Sequence, residues 1–296
     1  MYLRQHTEIC VLHAISPVHA GSGAATGAVD LPIQRERHTG WPMIQSTGVK
    51  GAMRDHCVRF WMADQDNLSV FDGRNKAEEA ARAIFGAEKG DQEAQAGAVA
   101  FSDAKLLAFP VRSNRAPFVW TTCPALLKRL DRDLDLAGTG GLDNLPSVEG
   151  DEYVVAIGDR IDGQLILEDI CLSRAKDGNA GGVEELFQKL APEVDRLVLV
   201  PDQHFSFLVE TATEIQAQIA IDPERGVTKT GSLRYEELLP AETILYTVVF
   251  FGNERTAQNP FQVDTIKNGL KAAVSDYVQM GGDMTVGRGI FAVNWV

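Results

Sequence analysis

Ala241–Phe251, AETILYTVVFF, decides the fold class. From Ile244 onward it is β-branched, aromatic and apolar at both odd and even positions, which reads as a central strand covered on two faces. Glu8–Ser16 (EICVLHAIS) is a second such run, broken by Pro17 and the glycines of Gly21–Gly27. Ala98–Pro110, Gly163–Leu172, Arg196–Val200 and Glu214–Ile221 read as further strands, and the tail GGDMTVGRGIFAVNWV as a glycine loop feeding a last one. Between them lie helices. Ser46 or Thr47 caps one that carries Val49, Met53, Cys57 and Phe60 on one stripe. Asn75–Phe85 is closed by Gly86, Pro124 opens a helix ending near Gly138, Val183–Leu190 is another, and Pro260–Met280 stops at Gly281-Gly282. In IDPERGVTKTGSLRYEELLPAET, Asp222-Pro223, Gly226 and Gly231 supply turn chemistry between two β-like runs, which predicts a long protruding hairpin. With no internal repeat and no clear linker, the expectation is an α+β chain around a mainly antiparallel sheet.

Composition narrows the function classes. No apolar tract is long enough to span a membrane and no basic-then-apolar leader opens the chain, so the expected compartment is cytoplasmic. Cys10, Cys57, Cys123 and Cys171 form no CxxC pair and are expected to be buried thiols rather than zinc ligands or disulfides. A net charge of −13 argues against a polyanion partner, but the charges are sorted. Between Leu31 and Arg59 stand Arg35, Arg37, Lys50, Arg54 and Arg59 against Glu36 and Asp55, with His38 and His56 beside them. Acidity concentrates in Asp131–Asp135, Glu149–Asp162 and Glu184–Asp195. Such polarity suits asymmetric assembly.

The chemistry-bearing residues are dispersed. Gly21, Gly23 and Gly27 lack the spacing of a dinucleotide fingerprint, and TGVKGA lacks the gap and terminal hydroxyl of a P-loop. A helix N-terminus beside Lys50 is nonetheless an anion site, and the glycines around Arg288 can form a backbone nest for phosphate. His13 belongs to a strand and reads as structural, whereas His19 lies in a loop near Gly21 and can reach a site. No HExxH, HxxE or DxD pattern turns any of these residues into a strong metal site, and Asp30 by itself is a weak signal.

The order of motifs goes further. HAISPVHAGSG, VDLPIQRERHTGWPMI, STGVKGAMR, the hairpin ending LRYEELLP and GGDMTVGRGIF together resemble the RAMP superfamily of CRISPR-associated proteins, and within it the backbone ribonuclease subunit of type III-B (Cmr) effector complexes. The resemblance implies a ferredoxin-like, RRM-related palm over residues 1–296, with insertions at roughly 60–195 and a thumb hairpin at roughly 215–240. It implies copies stacked head to tail on a guide CRISPR RNA, beside other subunits of the complex, with Lys50 at the guide backbone. Gly281, Gly282, Gly287, Arg288 and Gly289 would lie against RNA, and Arg35, Arg37, His38 and Arg54 would hold guide or target phosphates. Asp30 inherits the cleavage role on single-stranded target RNA, with His19, Tyr235 and Glu236 as accessory residues, and it would ligate a divalent ion, Mg²⁺ or Mn²⁺, or take the 2′ proton. Cuts would fall about six nucleotides apart, where a thumb splays bases from the strand. The alternative is a non-cleaving guide-RNA scaffold, which would have no need of Asp30; an unrelated phosphate-ligand enzyme is the remaining reading.

Overall fold

The computed structural model describes residues 3–63, 77–87, 95–142, 144–158, 161–176, 178–255 and 261–296. β1 (Thr7–Ala14) leads through a long irregular segment and the short β2 (Met43–Ile44) into α1 (Ser46–Ala63). Then come α2 (Ala77–Phe85), β3 (Val99–Phe101), β4 (Ala104–Arg112), β5 (Phe118–Thr122) and α3 (Pro124–Ala137). β6 (Glu152–Ile157), β7 (Gln164–Leu167), β8 (Ile170–Arg174), α4 (Val183–Leu190), β9 (Leu197–Leu199) and α5 (Asp202–Thr211) follow. The chain continues with the hairpin β10 (Glu214–Gln218) and β11 (Arg234–Leu238), then β12 (Ile244–Phe251), α6 (Val263–Ala273), β13 (Tyr277–Gln279) and β14 (Ile290–Trp295).

One sheet runs β13-β14-β1-β12-β4-β5-β9-β6-β8-β7, with β2 on β4 and β3 on β12. Its centre, β14-β1-β12-β4, is antiparallel throughout. α1 connects β1 to the β3–β4 segment and α6 connects β12 to β14, so the palm is a pair of split βαβ units in the ferredoxin-like order. Strand alternation explains the two-sided apolar runs. Cys10 and Leu12 of β1, with Leu245, Val249 and Phe251 of β12, face a core shared with Val49, Met53, Cys57 and Trp61 of α1 and Ile266 and Leu270 of α6. Ile9, Val11, Ile244, Tyr246 and Val248 point the other way, onto Leu127, Leu130 and Leu134 of α3 and Phe187 of α4.

The structure revises several boundaries. The strand expected over Ala98–Pro110 breaks at Ser102-Asp103, where Ser102 Oγ accepts the N–H of Val248 at 2.9 Å and its carbonyl accepts the Thr247 hydroxyl at 2.8 Å. Because β3 and β4 both pair with β12, that part of the 60–195 segment belongs to the palm sheet itself. Gly163–Leu172 is a hairpin, β7–β8, turning at Glu168 with φ +48°. The helix expected over Pro260–Met280 is shorter: α6 ends at Ala273, and Tyr277–Gln279 forms a strand that covers the edge of β14. Its start at Pro260, like Asn75 of the second helix, lies outside the described residues. The stripe of α1 runs Val49, Met53, Cys57, Trp61, every fourth residue, in place of Phe60. Neither Ser46 nor Thr47 caps α1; the Ser46 N–H is the one capped, by Asp103 Oδ1 at 2.7 Å. Cys171 is exposed while the other three cysteines are buried. β5, β6 and α5 escaped the pattern reading.

Candidate active site and nucleic-acid interface

The irregular segment after β1 is fastened onto the base of the hairpin. The backbone N–H groups of Asp30 and Leu31 both donate to the Tyr235 carbonyl at 3.1 Å, and Glu237 N–H returns to the Leu31 carbonyl at 3.0 Å. Val18 bridges Leu239 and Gly21 bridges Ile33. Ile33, buried, anchors this segment, and its N–H donates to Glu237 Oε2 at 3.1 Å. Asp30 itself stays exposed, with Oδ2 accepting the Tyr235 N–H at 2.7 Å. One carboxylate oxygen is thereby fixed, and the other remains for a proton or a cation.

His19 and Glu236 stand on the same scaffold. Nδ1 of His19 lies 2.9 Å from the Glu237 carbonyl, so it carries the proton and donates, and Nε2 is directed toward Gly21. A Cβ at Gly21 would come within 2.6 Å of Nε2, so any larger residue there would displace the imidazole. Glu236 is 2% exposed, accepts the side-chain amide of Gln218, and has Oε1 3.5 Å from His19 Nδ1. Burial, then a side-chain hydrogen bond to Asp283, raise its pKa against the opposing pull of His19; the charge of Asp283 raises it further and Arg234 opposes. Tyr235 differs. In the β10–β11 register Glu236 faces Gln216 while Tyr235 faces Ala217, so alternation sends the tyrosine to the opposite face, where the residue is 41% exposed. Its backbone, not its ring, builds the Asp30 site.

The cations expected at phosphates divide into two groups. Arg35 is turned inward: its guanidinium donates to the carbonyls of Gly40 and Val209 and to Glu237 Oε1 at 2.6 Å. It therefore braces the loop under Asp30, with its guanidinium already engaged where the sequence reading expected a phosphate ligand. The neighbouring Glu36 is similarly locked by Arg129 of α3 at 2.5 Å. Arg54 donates to the Gly86 carbonyl at 2.7 Å and ties α1 to the end of α2. Arg37 and His38 stand exposed on a turn, open to an incoming strand. Lys50 lines a surface hollow with Thr47, Phe101 and Arg255, and burial, then Arg54, lower its pKa. One amide of the α1 N-terminus is already taken by Asp103, so the anion site there rests on Lys50 and the remaining N–H groups.

The glycine loop is shaped first by its own chain. Gly282 N–H donates to the His19 carbonyl at 2.8 Å, Gly289 N–H to Pro17 at 2.9 Å, and a Cβ at Gly281 would meet the His19 carbonyl at 2.6 Å. Gly287, with φ +79°, closes the turn at Met284–Val286 and has open space around it. Arg288 donates to Gln216 at 2.5 Å, joining the loop to the hairpin. The sequence reading missed Asp283, Glu237 and Gln218 as members of this cluster. Asp283 sits inside the quoted glycine motif, where a lone carboxylate among glycines was the available signal.

Among the described residues no three His, Cys, Asp or Glu side chains converge as a metal cage. Asp30 fits a divalent ion only as a single ligand, the arrangement Mg²⁺ accepts when substrate phosphate and water complete its shell. No described helix is long and apolar enough to cross a membrane.

Comparison with known proteins agrees with this geometry. The RAMP superfamily model matches residues 11–292. The CRISPR system Cmr endoribonuclease Cmr4 of Pyrococcus furiosus is 34% identical over 290 residues, 95% of this chain and 93% of the relative. A crystal structure of oligomeric Cmr4 from the same organism superposes with a TM-score of 0.72 at 28% identity, covering 99% of this chain and 98% of that one. A chain in a cryo-EM structure of the type III-B Cmr-beta assembly bound to cognate target RNA shares the fold, with a TM-score of 0.71 at 21% identity over 98% of this chain and 96% of the other. The chain belongs to the RAMP superfamily and, within it, to the Cmr4 family.

Proposed function

We propose that this chain is the backbone subunit of a type III-B effector complex, binding guide RNA in head-to-tail copies and cutting complementary target RNA with Asp30 as the central residue. The observation that carries the reading is the exposed Asp30 carboxylate fastened to the Tyr235 N–H at the base of the hairpin, whose next residue, Glu236, lies 3.5 Å from His19. A thumb that displaces a target nucleotide would deliver the adjacent phosphodiester to that point. Membership of a family containing a named endoribonuclease and an oligomeric structure supports both halves of the proposal.

In RNA the nucleophile is already present. The 2′-oxygen attacks the neighbouring phosphorus, the bond to the 5′-oxygen breaks, and the proton lost at the 2′ position is balanced by one gained at the leaving 5′-oxygen. The protein aligns these atoms and manages charge. Asp30, held by the Tyr235 N–H, is placed to accept the 2′ proton or to hold an ion. His19, its tautomer set by the Glu237 carbonyl, orients the sugar or phosphate. Exposed Arg37, His38 and Lys50 supply sequence-independent backbone contacts. A divalent ion, where Asp30 binds one, supplies neutralisation of charge on the phosphate.

The test is the assembled complex carrying Asp30→Asn. It should bind guide and target as the wild type does while cleavage collapses. Full cleavage with guide occupancy confirmed would move the active carboxylate elsewhere and favour the scaffold reading.

A further inference from the structure

We infer that Arg129 of α3 is a positioning residue for RNA binding: as the internal counter-ion of Glu36, it keeps Arg37 and His38, on the turn beside that carboxylate, free for the phosphates of an RNA strand. The inference rests on the reading of Arg37 and His38 as backbone contacts.

The turn is closed on itself and anchored at its base. Arg35 bridges Pro42, the Glu36 N–H donates to the Trp41 carbonyl at 2.8 Å, and the Gly40 N–H donates back to the Glu36 carbonyl at 2.9 Å. Gly40, with φ +74°, supplies the left-handed residue that lets the chain return. Trp41 is buried, meets Phe205 of α5 edge-on, and donates its indole N–H to the Ser206 hydroxyl at 3.0 Å. The base is thereby fixed in the core, and Arg37 and His38 stand exposed at the tip.

This turn carries its own carboxylate. Glu36 adjoins Arg37, and its Oε2 lies 3.7 Å from His38 Nε2. Left uncompensated, it would pair with either cation and repel an approaching phosphodiester. The compensation comes from 93 positions further along the chain, where Arg129 donates from Nη1 to Glu36 Oε1 at 2.5 Å. Its Nη2 donates to the Leu106 carbonyl of β4 at 3.1 Å, and its guanidinium lies over the Trp41 ring, 5.3 Å from the centroid. Held at these three points, Arg129 is engaged inside the protein. The Thr39 hydroxyl takes the second carboxylate oxygen, donating to Oε2 at 2.7 Å. Arg35 and Glu237 repeat the arrangement next door, at 2.6 Å. Each inward carboxylate thus has an inward arginine, and removing one partner of such a pair leaves the other charge to find a new one. For Glu36 the nearest replacements are the two cations at the tip.

The test measures RNA binding by the full chain. Guide RNA on the chain and target RNA on the guide-loaded complex are assayed by filter binding at several salt concentrations, and the arm in which Arg37→Ala weakens binding identifies the strand that the turn holds. In that arm Arg129→Gln should weaken binding about tenfold and reduce the slope of log affinity against log salt by about one, as loss of a phosphate contact does. Glu36→Gln added to Arg129→Gln should restore both affinity and slope, because it removes the stray carboxylate without rebuilding the ion pair. Arg129→Lys, which keeps the charge without the planar fork, should fall between wild type and Arg129→Gln. If Arg129 only supports the fold, the double variant binds as poorly as Arg129→Gln and the slope stays at its wild-type value. Either result overturns the inference, as does unchanged binding by Arg37→Ala and His38→Ala in both arms. Should Arg129→Gln fail to fold, Arg129→Lys against Glu36→Gln/Arg129→Lys makes the same comparison. None of these readouts uses cleavage, so failure of the Asp30 test and failure of this one are separate results.

Discussion

Oδ2 of Asp30 accepts the backbone N–H of Tyr235 at 2.7 Å, joining residues 205 positions apart. The exposed carboxylate thus belongs mechanically to the thumb, and any movement of the hairpin base moves it. Asparagine at position 30 keeps an acceptor for this bond while alanine does not. Asp30→Ala should therefore lower unfolding free energy by about 1 kcal/mol relative to Asp30→Asn, while both lose cleavage by about 10²-fold or more. Denaturant melts and radiolabelled target assays measure the two effects. Equal stability of the variants would show that the bond contributes nothing.

Arg35 is engaged within the loop, by the carbonyls of Gly40 and Val209 and by Glu237. Arg35→Ala leaves Glu237, 9% exposed at its side chain, without its 2.6 Å partner, and the predicted loss of stability is about 3 kcal/mol. Urea unfolding should show it in the isolated subunit, without guide. If stability is unchanged and only RNA affinity drops, Arg35 is a phosphate ligand after all.

Lys50 is the contrasting case. Lys50→Ala should weaken binding to all guides alike and reduce the slope of log affinity against log salt by about one, with melting little changed. Arg288→Ala, because its guanidinium holds Gln216, should lower both affinity and melting temperature. Filter binding at several salt concentrations separates the two.

His13 lies between Glu193 at 3.1 Å and Glu242 at 2.8 Å. Burial works against its charge, the hydrogen bonds to Glu193 and Glu242 outweigh it, and the net pKa is raised from 6.5. Stability from a raised histidine is complete below its unfolded value and fades as pH rises through the folded one. For Glu193, burial opposes ionisation and the His13 hydrogen bond overcomes it, so its contribution is present above its unfolded value and fades only in acid. His13→Gln should accordingly cost most just below the ordinary histidine value of about 6.5, where the imidazolium faces two ionised carboxylates, and progressively less as pH rises above it. Thermal melts on both sides of that value decide; a pH-independent cost would mean the imidazole acts uncharged.

If the 2′-oxygen is the nucleophile, a target carrying single deoxynucleotides at the cut positions should bind and resist cleavage there, and ordinary cuts should leave 5′-hydroxyl ends. Products should be spaced about six nucleotides apart, as a base-splaying thumb requires. Chelation by EDTA should stop cleavage without releasing target if Asp30 holds an ion together with substrate phosphate. Undiminished cleavage in EDTA would assign Asp30 to proton transfer alone.

Reading the hairpin, β12 and α1 from the sequence succeeded because each is a local period. Leu245 and Tyr246 alternate between two cores, and Val49, Met53, Cys57 and Trp61 recur once per turn, whatever lies elsewhere in the chain. β6 and the break at Ser102 were invisible because their partners, β9 and β12, are distant in sequence, and the five-residue β5 is short and takes its second partner from β9 as well. Tyr277–Gln279 carried a helical expectation and became a strand because the β14 edge offered hydrogen bonds that helix α6 could not extend to take.

By itself, the sequence determined an α+β chain around a mainly antiparallel sheet with a protruding hairpin, since backbone geometry turns hydrophobic spacing into strands and helices wherever it occurs, while palm and thumb came from the resemblance of its motifs. It also placed Asp30, His19 and the glycine loop in one candidate site through the order of their motifs. Only the tertiary structure decided which charges face outward. Arg35 and Arg37 are two residues apart and alike in the sequence, yet Glu237, 202 residues from Arg35, takes one inside while the other stays in solvent. Likewise Tyr235 and Glu236 are neighbours, and the pairing of β11 with β10 puts one at the surface and the other beside His19. Charge and hydrogen bonding depend on what lies within a few ångströms, and across two hundred residues only the folded chain supplies that neighbour.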